Sequence, residues 1–331
     1  MLWRNDTKKC FGTTRFRKID WKDGIYAKMW LKKNKSLILP IAMLLGIVGF
    51  QWLHTLVFIV PITVSIMFFL AYCALDFRRL RLTKVNFIML LTHVILVFVF
   101  YFIASWLFSP IVAKGVLLCI IAPAAASSSS IVIILGGNKE VSIVHIILDN
   151  MLISLLAPLV LSYVEPQNDF SYFVSVLEIM KKVFPLLIVP FIAAVLLKRL
   201  RPKTALKVAK YNWTSLIFWS ILLIVIFANT TYTIVNAGKE NTMDIVSMFV
   251  ASFVMCIFQF AIGRVIGTKL GSPISVTQGL SQKNTGLGVW MAHTYISNPL
   301  SVIFSAAYSL WQNLLNSWQV YMKEKKSRTQ A

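Results

Sequence analysis

Several polar residues sit inside stretches that are otherwise too apolar to hold them. Ala122-Pro123-Ala124-Ala125-Ala126 runs into four consecutive serines, Ser127 to Ser130, within the apolar stretch 111–136. A second run, Gln278-Gly279-Leu280-Ser281-Gln282-Lys283-Asn284-Thr285-Gly286-Leu287-Gly288, interrupts 273–295. Asp149, Asn150 and Ser154 lie deep in 141–164, and His93 lies in 86–107. These residue types suit the coordination of ions and small molecules. Hydroxyls and freed carbonyls at a helix break can ligate Na⁺, while the N-termini of half-helices favour anions. No nucleophile with a base, phosphate loop or metal-ligand spacing accompanies them, so nothing here argues for an enzyme.

Each group also has a plainer reading. The serines could be a small-residue surface for close helix packing, although four of them after a proline favour a site. Asn150 and Ser154 share one helix face at i, i+4 spacing. Asp149 reads equally as a functional proton or charge partner, since intramembrane carboxylates are costly, and as a solvated residue near one interface. Lys283 is the only Lys or Arg well inside an apolar stretch. It either sets a fixed positive charge where a coupling cation would bind or pairs with a substrate carboxylate. Its mid-span position argues against snorkelling. A lone membrane histidine such as His93 is more often a bond between helices than a ligand, and His145 and His293 carry a weaker signal. Ser127, Ser130, Lys283, Asn284 and Thr285 make up the expected substrate-contacting set. Phe98, Phe100, Trp290, Met291 and Trp311 read as core or belt residues. Trp213, Trp219 and Trp318 read as interface markers.

The elements that must position these residues are helices in a bilayer. Of 331 residues, 58% are hydrophobic and 14% charged, against about 25% charged in soluble domains. That excludes an ordinary soluble fold. Ten apolar spans of suitable length are expected at 37–53, 55–75, 86–107, 111–136, 141–164, 182–197, 211–236, 243–263, 273–295 and 299–321, with a short interfacial helix at 169–181. The organisation is therefore a basic segment 1–35, a first five-helix repeat 36–164, a connector 165–181, a second repeat 182–321 and a basic tail 322–331. Five spans per half is an odd number, so the second half is inserted upside down. The interrupted spans four and nine then occupy matching places, the usual sequence pointer to a transporter's substrate site.

The net charge of +21 would otherwise suggest nucleic acid. Sorted by loop, 28 of the 33 Lys and Arg fall on one side of ten spans, which is a topology label and leaves nucleic-acid binding a minor reading. Both termini are then cytoplasmic, in what we expect to be a bacterial inner membrane. No cleavable signal pattern opens the chain. Trp21, Ile25 and Met29 recur among lysines at helical spacing, which fits a helix lying on an anionic leaflet or a basic tail. Cys10, Cys73, Cys119 and Cys256 have no metal or redox spacing.

At its two breaks the chain resembles the bile acid:sodium symporter family. The resemblance rests on Ala122-Pro123 with Ser128-Ser129, on Asn150, Ser154 and Ala157-Pro158, and on Gln278 to Leu287 continuing to Trp311-Gln312-Asn313. Leu39-Pro40, Met67 to Phe77 and Pro185 to Leu200 add lesser matches. It implies an all-α membrane protein of ten helices in two inverted five-helix repeats, with broken helices four and nine crossing. Spans three to five and eight to ten would form a core domain, and spans one, two, six and seven a panel. It further implies a small organic anion, bile-acid-like or carboxylate-bearing, as substrate, carried by alternating access, with Na⁺ as the only other ligand and no cofactor. One cation site would fall on Ser128, Ser129, Asn150 and Ser154, and the second on His93, Gln278 and Gln282. The acidic ligand that the two family sites share has no acidic counterpart here, whether the register selects Gln278 or Gly279, and Lys283 adds a cation close by. Sodium coupling is therefore expected to be weakened, altered or replaced, by protonation of His93 or Asp149 among other routes. A passive channel or sensor using the same breaks is the alternative.

Overall fold

The computed structural model describes residues 35–74, 81–166, 171–211 and 214–329. The expected N-terminal helix around Trp21, Cys10, Arg78 and Arg79 of the basic cluster 78–84, and Trp213 lie outside the described residues. Among those described, the chain is helical, with only a two-residue bridge of extended backbone. The helices are α1 (Lys35–Val48), α2 (Phe50–Leu53), α3 (Ile59–Cys73), α4 (Lys84–Leu107), α5 (Pro110–Ile121), α6 (Ser128–Leu135) and α7 (Lys139–Val164). They continue with α8 (Tyr172–Leu200), α9 (Pro202–Lys210), α10 (Ser215–Asn236), α11 (Thr242–Lys269), α12 (Pro273–Ser281), α13 (Thr285–Tyr295) and α14 (Val302–Thr329).

Local chemistry explains the boundaries. Pro110, Pro202 and Pro273 open α5, α9 and α12, where a missing N–H costs nothing. Asn138 caps α7 by accepting from the Glu140 and Val141 amides at 2.9 and 3.2 Å. Asn284 caps α13 in the same way through the Leu287 amide. α6 stops at Gly136, whose φ of 82° is the left-handed geometry that favours glycine.

Six stretches of the described residues are long and apolar enough to cross a membrane: Phe50–Cys73, Lys84–Leu107, Lys139–Val164, Tyr172–Leu200, Ser215–Asn236 and Lys239–Lys269. Their outward faces carry exposed apolar side chains such as Phe102 and Trp106 of α4. Without lipid these would be an untenable surface, so the protein is an integral, multi-pass membrane protein. Span one is a shorter apolar helix, Ile38–Val48, and the other three expected spans fall below that standard for physical reasons. Spans four and nine are each cut in two, so neither piece is long enough. The last, α14, carries a buried polar stripe of Ser305, Ser309, Gln312, Asn313 and Asn316, which lowers its hydropathy. The expected interfacial helix at 169–181 does not stand apart. α8 runs unbroken from Tyr172 to Leu200, through Pro185 and Pro190, with Glu178 and Lys181 paired at 2.6 Å on its exposed surface.

Two sets of contacts organise the helices around the breaks. α1 packs on α10, α3 on α8 and α10, and α7 on α8. On the other side, α4 packs on α5 and α7, α11 on α12 and α14, and α13 on α5 and α14. Gly279 in α12 sits where a Cβ would lie 2.3 Å from Met89 Cε and 2.8 Å from His145 Cδ2. That close approach brings α12 against α4 and α7.

Candidate functional site

The two breaks meet. α5 ends at Ile121 and α6 begins at Ser128; α12 ends at Ser281 and α13 begins at Thr285. Between them Ala124 and Lys283 form an antiparallel bridge. The Ala125 amide donates to the Gln282 carbonyl at 2.9 Å, and the Asn284 amide donates to the Pro123 carbonyl at 2.8 Å. Backbone freed by each break is thus satisfied by the other, as a membrane interior requires. The Lys283 amide donates to Gln312 Oε1 at 3.0 Å, and Gln312 Nε2 donates back to the Lys283 carbonyl at 3.3 Å. Tyr308 Oη donates to the Ser281 carbonyl at 2.6 Å and accepts from Gln259 Nε2 at 2.9 Å. α14 and α11 therefore hold the second break in place.

One cluster of ionisable side chains is buried at this crossing. Lys283 Nζ lies 2.6 Å from His93 Nε2, and His93 Nδ1 lies 2.5 Å from Asp149 Oδ1. All three residues are at most 1% exposed. With the ring proton on Nδ1, facing the carboxylate, Nε2 accepts from the Lys283 ammonium; with Nε2 protonated it donates instead to the Ile120 carbonyl. The second Asp149 oxygen accepts from the Ala124 amide at 2.6 Å, inside the first break. The Ile120 carbonyl, from the last turn of α5, is 2.8 Å from His93 Nε2. Residues from α4, α7 and both breaks thus form a single hydrogen-bonded chain, with Asp149 and Lys283 offsetting one another's charge. Asp149 is fully buried, which excludes its reading as a solvated interface residue.

The other expected site residues divide into separate groups. Ser128, Asn150 and Ser154 are buried. Asn150 Nδ2 donates to the Ile146 carbonyl and Ser154 Oγ to the Met151 carbonyl, each at 2.7 Å, while Ser128 Oγ and Asn150 Oδ1 have no hydrogen-bond partner. Ser129 turns back onto the Ala126 carbonyl at 3.1 Å, and Ser130 faces outward, exposed. Gln278 and Gln282 bond to each other, and Gln278 Nε2 continues to Gln319 Oε1 at 2.8 Å. Their hydrogen bonds go there and not to His93, so the three residues grouped by the resemblance are split between two networks.

Beside Lys283 a cavity of about 30 Å³ is lined by Ser127, Asn284 and Thr285 from the breaks and by Met67, Phe68 and Trp219 from α3 and α10. Trp219, expected as an interface marker, is a lining residue of this cavity. Further along the same seam, a cavity of about 550 Å³ is lined by His54, Asn229, Tyr232, Trp290, His293 and Ser297 among others. The His54 and Tyr232 rings stack there at 3.7 Å. Sequence reasoning gave no role to Gln312, Tyr308, Gln259 or Gln319. The signal for three of them was the polar stripe at helical spacing along α14.

A clamp of different character closes one end of the breaks. The carboxylate of Glu165, just after α7, accepts from Lys114 of α5 and from Ser297 through its amide at 3.2 Å and its hydroxyl at 2.8 Å. Partial burial raises the Glu165 pKa, but these donors outweigh it and hold the carboxyl below its usual range. Cys73, Cys119 and Cys256 are buried and unpaired, and no group of His, Cys, Asp and Glu suited to a metal occurs among the described residues.

Residues 61–237 match the family model described as Sodium Bile acid symporter family. The match runs from α3 through α10, so it includes the first break and ends before the second. No curated protein matches the chain to the same standard.

Proposed function

The chain belongs to the sodium bile acid symporter family, and from that premise we propose that it is a secondary transporter of a small organic anion, bile-acid-like or carboxylate-bearing, working by alternating access. Under this reading the ten-span, two-repeat topology holds, with both termini cytoplasmic in a bacterial inner membrane. α4–α7 and α11–α14 form the moving core, and α1, α3, α8 and α10 the panel. The observation that carries the proposal is the crossing itself: two broken helices at matching places, bridged through Ala124 and Lys283, with a cavity opening against α3 and α10. Irregular backbone at membrane depth belongs where it lines a path.

The anion reading draws on charge. The N-termini of α6 and α13 both start at the crossing, and the N-terminal end of a helix carries partial positive charge. Lys283, Ser127 and Thr285 stand beside the cavity with them. A carboxylate there would meet donors and a nearby cation without a carboxylate in its way. The 550 Å³ cavity along the seam is wide enough for an apolar body, and the 30 Å³ space at the crossing is not, so a steroid-sized ligand would enter by the wider end with the panel and core parted at the centre. Na⁺, where it travels with the anion, is cargo. Ser128 Oγ and Asn150 Oδ1, buried and without partners, are the oxygens best suited to it.

The test is uptake of radiolabelled cholate and benzoate into proteoliposomes, with and without an inward Na⁺ gradient. Accumulation above the outside concentration is the expected result for at least one of them. Flux that only follows the membrane voltage, with no uphill accumulation, would replace the transporter with a passive channel.

A further inference from the structure

Four helix ends converge on the crossing, and they are not alike. α5 and α12 bring C-terminal ends, whose last carbonyls carry partial negative charge, whereas α6 and α13 bring N-terminal ends. On the C-terminal side stand the Ile120 carbonyl and the Asp149 carboxylate, both within 2.8 Å of the His93 ring. In membrane transporters such negative poles are where coupling cations bind. Here the pole already contains a cation of the protein's own. Lys283 Nζ and the Ile120 oxygen lie 2.6 and 2.8 Å from the same His93 nitrogen, and Asp149 lies just across the ring. The charge that faces Lys283 is the Asp149 carboxylate of α7, and the buried Cys119 thiol of α5 is a second titratable neighbour. His145 of α7 and Tyr72 of α3 act in turn on or with Asp149.

We propose that Lys283 is a tethered counter-ion: its ammonium, held against His93 with the Asp149 carboxylate across the ring, occupies the cation position at this negative pole, so that no free coupling cation enters there. The inference rests on the transporter reading, and it says what sets the ion requirement at that same crossing. It follows from placement and charge. A free monovalent cation about 4 Å from a fixed ammonium at an effective dielectric of about 20 would be bound roughly a thousandfold more weakly than with the ammonium gone. The resident ammonium is also anchored by its own backbone, since Gln312 holds both the amide and the carbonyl of Lys283. The position that the resemblance assigns to a second Na⁺ therefore does not fit one here. The oxygens of Ser128 and Asn150 are unaffected, so the transporter runs on one external cation at most.

The proposal is tested by chemical rescue, with thermal unfolding of the purified protein in detergent as the readout and no transport substrate present. Lys283→Ala leaves the side-chain space open and Asp149 without its counter-ion. Its melting temperature is expected to rise by several degrees with 100 mM propylammonium chloride, relative to the same concentration of N-methylglucamine chloride. Neither the natural protein nor Lys283→Ala/Asp149→Asn, in which both charges are gone, should respond. A Lys283→Ala protein as indifferent to propylammonium as the natural one would overturn the proposal, as would an equal response from the double variant. Should Lys283→Ala alone not fold, the double variant is expected to fold with cation-independent stability, and its failure would equally count against a counter-ion role. Because the readout needs no uptake, absent anion transport would sink the transporter reading and leave this inference standing, whereas absent rescue would sink this inference alone.

Discussion

Replacing Asp149 by Asn should cost about 3–5 kcal/mol, and the figure can be assembled from the contacts. The carboxylate accepts from two donors, His93 Nδ1 at 2.5 Å and the Ala124 amide at 2.6 Å. An Asn side chain has one carbonyl oxygen to offer, so one of those buried donors faces an N–H instead and loses about 1–3 kcal/mol. Lys283 also loses its counter-charge. With 2.6 Å on one side of the imidazole and 2.5 Å on the other, the two charges are about 7 Å apart, worth about 2 kcal/mol at an effective dielectric of about 20. The sum agrees with the cost of removing one partner of a buried ion pair. At about 2 °C per kcal/mol for a chain of this size, the apparent melting temperature in detergent should fall by roughly 6–10 °C. Tryptophan fluorescence during thermal unfolding reads it directly. A shift smaller than 2 °C would mean that the buried chain through His93 is not what holds the crossing, and the reasoning would fail at its base.

Three other outcomes are expected. Tyr308→Phe strips the Ser281 carbonyl and the Gln259 amide of their partner, costing about 2–4 kcal/mol; adding Gln259→Leu should recover part of the loss, and a fully additive double variant would contradict the shared bond. Gly279→Ala drives a methyl into Met89 and His145 and should cost about 1–3 kcal/mol as overpacking, with partial recovery when Met89→Ala removes the nearest atom; a neutral Gly279→Ala in thermal melts would show that α12 does not approach as closely as described. Glu165 is held below the usual carboxylate range by Lys114 and Ser297, so the folded state takes up its proton less readily than the unfolded chain. The clamp's stability is thus complete above that range and lost as pH falls through the lowered value. Melting temperatures from pH 7 to pH 3 should fall more steeply for the natural protein than for Glu165→Gln, and parallel curves would refute the clamp.

How much of this was readable beforehand depends on the range of the forces involved. Both helix breaks were visible because proline, glycine and clustered polar residues act locally on the backbone. α8 was misread because Glu178, Lys181 and Lys182 look like a boundary, whereas a charged pair on the outward face of a continuous helix does not interrupt it. That Trp219 lines the cavity was not legible, because a tryptophan's sequence position does not say which way its helix face turns. Lys283 stood out as an isolated charge, but its partner did not. Whether it faces the cavity or reaches back through His93 to Asp149 is decided by residues 134 and 190 positions away in the chain, at separations that periodicity cannot sense. The polar stripe on α14 was open to the same helical-face reasoning used for Asn150 and Ser154.

The two-residue bridge between the breaks also bears on how the protein is made. Its bonds join residues 123–125 to residues 282–284. During synthesis the first half enters the membrane long before the second break exists. Until then the Pro123 carbonyl and the Ala125 amide stand in an apolar medium with no partner from their own half, at a cost of several kcal/mol. The first half is therefore a waiting template whose centre closes last, when the ribosome has delivered α12 and α13. A chain stalled before residue 273 should be a substrate for quality-control proteases at that unfinished centre, however well its outer helices are seated.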